Sequence, residues 1–112
     1  LYNWYAVNTG KLAPKGWHIP SDEEWKILAD YLGGENVAGG KMKEAGTAHW
    51  LDPNTGATNS SGFTALPAGY RGKAGFIPSS VNSTLLWSST EFNEADKSGG
   101  KYHGAAVRCV RD

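Results

Sequence analysis

The sequence predicts an α+β domain in which two helices pack on small antiparallel sheets, joined by a long loop region. Three observations carry that expectation. A proline-led helix start at Pro20-Ser21 opens a segment of helical period. The composition, 15 Gly, five Trp and five Tyr in 112 residues, describes much irregular backbone held by a few large aromatic side chains. Short apolar pieces punctuated by glycine fill the second half, where strands fit better than helices.

Residues 1–112 are long enough for one core and too short for two, so a single domain is expected. Leu1-Tyr2-Asn3-Trp4-Tyr5-Ala6-Val7 is rich in strand formers and reads as a first strand, closed by Asn8-Thr9-Gly10. Lys11 to Gly16 is a connecting loop. Pro20 fixes its own φ and pushes Ile19 into extended geometry, so a helix can begin only after it. Ser21 with Glu24 forms a capping box, and Asp22 and Glu23 complement the positive end of the helix dipole. Trp17 and Trp25 flank this joint and are read as structural anchors, with Trp25→Ala expected to cost about 3 to 5 kcal/mol. Trp25, Leu28, Tyr31 and Leu32 fall on one helical face, and Gly33-Gly34 supplies the left-handed stop.

A second helix is expected over Val37 to Ala45, with Gly39-Gly40 marking close packing against another element and Lys41, Lys43 and Glu44 a solvated face. Trp50 is a further anchor. Asp52 to Gly56 and Asn59 to Gly62 are turn signals. Short strands follow at Phe63 to Leu66, Ala68 to Arg71 and Phe76-Ile77, then a core strand over Leu85 to Thr90. Glu91 to Gly100 reads as a polar, mobile loop. Tyr102 to Arg111 closes the domain as one or two strands, with Ala105, Val107 and Cys109 on one face.

Formal net charge is zero, which leaves no electrostatic footprint for nucleic acid or an anionic membrane. No run of apolar residues is long enough to insert in a bilayer. Leu1 opens directly into an apolar segment, so the chain reads as excised from a longer surface or secreted protein. Cys109, the lone cysteine, has no internal partner.

Seven motifs recur in order from end to end: Leu1 to Val7, Pro14 to Trp25, Ala38 to Lys43, Asn59 to Phe63, Leu66 to Arg71, Trp87 to Glu91, and Val107 to Asp112. Together they resemble the Fibrobacter succinogenes major paralogous domain family. That resemblance implies a module of cell-surface or secreted proteins of Bacteroidetes-type bacteria, often lipoproteins, with activity generally unassigned. More distantly, the helix start and the late Trp-Ser and Val-Arg-Cys segments are similar to the C-type-lectin-like and formylglycine-generating-enzyme fold. This implies paired N- and C-terminal strands, two helices, and a loop region that hosts ligands. Where family members carry Cys-Pro, this chain has Ala13-Pro14, so a disulfide to Cys109 is missing.

Formylglycine-generating chemistry needs a cysteine pair, and one cysteine disfavours it. In an alternating apolar strand Cys109 reads as a small structural hydrophobe. His18, His49 and His103 match no zinc spacing, and His18 between Trp17 and Ile19 reads as a hydrogen-bonded structural residue. Ser88 and Ser89 lack a nucleophile elbow. Asp52, Asn54, Glu94 and Asp96 are weak calcium candidates, since they offer hard oxygen ligands, but the sugar-binding lectin triplets Glu-Pro-Asn and Trp-Asn-Asp are absent. No cofactor is expected, calcium being the one that these weak candidates leave open.

Arg71, Arg108 and Arg111 offer sites for carboxylate or phosphate, against structural pairing with Glu23, Glu24 or Glu91. Tyr70 and Trp87 suit stacking on sugars or packing on a partner, and Tyr70, Arg71, Trp87, Glu91 and Asn93 form the candidate ligand surface. Pro20, Ser21, Glu24, Trp17, Trp25 and Cys109 are assigned to structure. The sequence thus favours a non-enzymatic extracellular or cell-envelope binding module for a protein or glycan. A structural domain of a larger envelope protein, or a formylglycine-generating-type enzyme, are the alternatives.

Overall fold

The computed structural model of the protein describes residues 1–72, 75–77, 83–91, 101 and 103–112. The first helix, α1, runs Trp4–Asn8, where a strand was expected. Asn3 caps it: its Oδ1 accepts from the Ala6 N–H at 3.0 Å, and Thr9 closes the other end. Burial explains the choice. Trp4 and Val7, three apart, are the two residues of α1 that leave solvent, so this segment follows helical rather than alternating period. With Ile19 they form a core cluster against which Leu12, Trp87, Val107 and Cys109 pack.

β1 is Trp17–His18, and α2 follows over Asp22–Tyr31. Ser21 Oγ accepts from the Glu24 N–H at 3.2 Å, as the capping signature predicts. Gly33 and Gly34, at φ +107° and +104°, end α2 in a Schellman motif: Gly34 N–H donates to Ala29 O and Gly33 N–H to Asp30 O. The expected apolar face is only partly right, because Leu32 is buried while Tyr31 is 85% exposed. α3 spans Glu35–Met42, two residues earlier than expected at its start, and packs on α2. A Cβ on Gly40 would overlap the Gly56 carbonyl oxygen, and Thr58 N–H donates to Gly40 O at 2.8 Å, which is the close approach the glycine pair signalled.

Lys41, Lys43 and Glu44 are not a free solvated face. Lys41 Nζ donates to Leu32 O at 2.7 Å, Lys43 lies over the Trp50 ring at 4.0 Å, and Glu44 pairs with His49 at 2.8 Å. Trp50 is 3% exposed and donates from Nε1 to Ala65 O, the anchor the sequence suggested.

The late strands are shorter than expected. β2 (Tyr70–Gly72) and β3 (Gly75–Ile77) form an antiparallel hairpin, and β4 (Val110–Arg111) pairs antiparallel with β1. Phe63 to Leu66 contributes a single bridge, Ala65 to Lys43, because Thr64 sits at φ +55°, tied by its N–H to Asn59 Oδ1. Leu85 to Thr90 likewise contributes one, Leu86 to Ala106. Its C-terminal part turns away to the start of α2, where Ser89 N–H donates to Pro20 O and Thr90 Oγ1 accepts from Asp22 N–H.

The two ends of the chain do meet, though not as paired strands: Tyr2 and Ala105 exchange both backbone hydrogen bonds at 2.8 and 2.9 Å. The closing strand's longer partner is β1. The architecture is therefore α+β, with three helices and small antiparallel sheets among the described residues. None of the described helices is long and apolar enough to cross a membrane.

Candidate functional site

Pairing of β1 with β4 brings His18 beside the chain's last residues, and the capped start of α2 brings it beside Glu24. His18 Nδ1 meets Asp112 Oδ1 at 2.6 Å, and Nε2 meets Glu24 Oε2 at 2.8 Å. Two carboxylates at the two ring nitrogens favour the imidazolium, which donates to both. The Asp112 hydrogen bond raises the His18 pKa above 6.5 most, Glu24 adds to it, and desolvation opposes. In the simplest capping box Glu24 would reach back to the cap residue's own N–H; here its carboxylate is turned to His18.

Beside this clasp lies an open groove of about 350 Å³. One wall is α2, through Glu24, Trp25 and Leu28; Trp17 and Pro20 lie at the entry to that helix. Phe63 and the segment from Arg108 to Arg111 complete it. Trp25 is fixed by its Nε1–H, which donates to Trp87 O at 3.3 Å, and its ring lies 6.1 Å from that of Phe63 at 58°. The Arg108 guanidinium sits 4.2 Å from the Phe63 ring centroid. Trp17 is 45% exposed. An aromatic surface with a carboxylate and two guanidinium groups at its edge can stack a flat or ring-shaped ligand and hold polar substituents.

The family model of the Fibrobacter succinogenes major domain matches residues 1–111. The chain belongs to this family. No curated protein and no solved structure matches it at the significance required of a relative.

In this Fibrobacter succinogenes major domain, Tyr70, Arg71, Trp87 and Glu91, proposed from sequence as part of a ligand surface, are not lining residues of the groove. Tyr70 and Arg71 are in β2, where Arg71 exchanges backbone hydrogen bonds with Gly104. Trp87 donates from Nε1–H to Tyr2 O at 2.6 Å, and its ring lies 6.1 Å from that of Trp4. Glu91 pairs with Lys101 at 2.7 Å. Asn93, Glu94 and Asp96 lie outside the described residues.

Asp52 is exposed, while Asn54 is a loop brace, donating from Nδ2 to Glu44 O and Gly46 O. Among the described residues, no three His, Cys, Asp or Glu side chains are placed to hold a metal ion. Pro20 precedes the cap of α2, where Ser21 Oγ accepts from the Glu24 N–H. Trp17 does not serve as a buried anchor, and Trp25 is half-buried, so both are shared between the joint and the groove. Half-buried Cys109 packs on the core cluster and lines the groove. The sequence offered Arg108 as a carboxylate or phosphate site but did not place Phe63 or Leu28 beside it, since Phe63 joins the groove only through its tertiary contacts with Trp25 and Arg108.

Proposed function

We propose that the domain is a non-enzymatic binding module of the cell envelope or extracellular space, with a C-type-lectin-like arrangement, and that it takes its ligand in the groove beside the start of α2. The aromatic groove carries this reading: Trp17, Trp25 and Phe63 line a cleft open to solvent, whereas a spacer domain has no use for such exposure. Exposure of Trp17 at 45%, lining the groove, supports the binding role over the purely structural one. The non-enzymatic reading draws on the engagement of both His18 ring nitrogens with carboxylates and on the absence of a second cysteine. No cofactor has a part in it, so EDTA should leave ligand capture unchanged.

The test is an array of glycans and envelope proteins probed with the intact domain and with Trp17→Ala. Capture of a defined subset, lost in the variant, is the expected result. The reading fails if the intact domain captures nothing while a neighbouring domain of its parent accounts for all recognition.

A further inference from the structure

The groove also carries charges that stacking on its aromatic rings does not engage. Among the described residues its one carboxylate, Glu24, is engaged by His18, with Nε2 2.9 and 2.8 Å from its two oxygens. Its two cations, Arg108 and Arg111, have no carboxylate within 4.0 Å among the described residues. The partners the sequence offered them are occupied elsewhere or not in reach: Glu24 by His18, Glu91 by Lys101, while Glu23 makes no ion pair among the described residues. Arg108 contacts the Phe63 ring, which engages the charge and face of the guanidinium and leaves its N–H donors open. One guanidinium over an aromatic ring and a second lining the same groove, neither paired with a carboxylate among the described residues, are complementary to an anion carried on a ring.

We propose that the groove selects a carboxylated saccharide, its uronate-type carboxylate held by Arg108 and Arg111 and its sugar ring stacked on Trp17 and Trp25. This rests on the groove being the binding site. The Trp25 Nε1–H is already bonded to Trp87 O, so that ring offers the ligand its carbon face and edge rather than a donor, which suits the C–H face of a pyranose. A groove of about 350 Å³ is at the small end of ligand sites, where one or two rings fit. A protein partner would need an interface of roughly 800 Å² on this side. Carboxylate is favoured over a neutral sugar because filling the groove with an uncharged ligand would desolvate two cations without compensation.

The experiment titrates the whole chain with trigalacturonic acid and with its fully methyl-esterified form, following the indole Nε1–H resonances of Trp17 and Trp25. The acid is expected to shift both resonances and to bind at least about tenfold tighter than the ester, a preference that shrinks as salt is raised. Arg111→Gln, and Arg108→Gln with Arg111→Gln, should remove the preference while keeping the thermal transition; Arg108→Lys should retain part of it, since it keeps the charge but not the fork.

Equal binding of acid and ester at the same indoles overturns the carboxylate assignment and leaves the groove reading standing. An unchanged preference in the folded double variant overturns the role of the arginines. A Glu-rich peptide that shifts these indoles where trigalacturonic acid does not would replace the saccharide with a peptide ligand. If no saccharide or peptide moves either indole, the groove reading falls as well.

Discussion

At the scale of single residues, the clearest consequence concerns His18. Its pKa is raised in the folded state by Asp112 first and Glu24 second, the charged groups that face it from the end of the chain and from α2. A raised folded-state value means that the stabilisation is fully present below pH 6.5, the ordinary value, and is lost as pH rises through the higher folded value. The domain should therefore melt at a higher temperature at pH 6 than at pH 8.5, a range in which carboxylates stay ionised. The same comparison on His18→Gln should show the difference reduced; an equal difference in wild type and variant would remove His18 as its source. The sequence placed His18 in the joint as a hydrogen-bonded residue. It could not show the partners, because Asp112 is ninety-four positions away. Tryptophan burial gives a second test. Trp50, 3% exposed, should cost about 3–5 kcal/mol on truncation to Ala in chemical denaturation. Half-buried Trp25 should cost less, about 1.5–3 kcal/mol, below what its sequence position alone suggested.

At the scale of elements, local signals were legible wherever a cap or a stop acts through adjacent backbone. Ser21 and the Gly33-Gly34 pair bound α2 as the sequence indicates, and Ser21→Ala should cost about 1 kcal/mol. The first segment was misread because its aromatic residues favour strands, while the Asn3 cap and the three-residue spacing of Trp4 and Val7 point to a helix. Such a short segment carries too few residues for periodicity to outweigh propensity, and packing of Trp4 and Val7 on Ile19 decides it. α3 makes the sharpest element-level contrast. Gly39 has open space where a Cβ would stand, whereas Gly40 faces the Gly56 carbonyl. Gly39→Ala should stabilise by about 0.5–1 kcal/mol through helix propensity, and Gly40→Ala should destabilise by about 1–3 kcal/mol through the forced shift of residues 56–59. Opposite signs for adjacent, chemically identical substitutions would be difficult to obtain from anything but the packing described; equal signs in urea titrations would contradict it.

At the scale of the whole molecule, the α+β class and the meeting of the chain ends were legible, and the groove was not. The reason is physical. Turn and cap residues act within a few positions, while the groove exists only because β1, residue 63 and the segment before β4 converge from three distant parts of the chain. The same convergence makes the ends indispensable. α1 supplies Trp4 and Val7, two of the three buried members of the core cluster, and Tyr2 joins Ala105 through two backbone bonds while accepting the Trp87 indole N–H. In a domain of 112 residues the remaining buried apolar surface is small relative to the conformational entropy of ordering the chain. Removal of residues 1–9 should therefore abolish the cooperative thermal transition seen by circular dichroism, and not merely lower its midpoint. Deletion of Asp112 alone should preserve the transition and flatten its pH dependence, since only one His18 contact and one backbone bond to Gly16 are lost. If the truncated chain still melts sharply, α1 is an appendage, and the core must be centred instead on Trp50 and the helix pair.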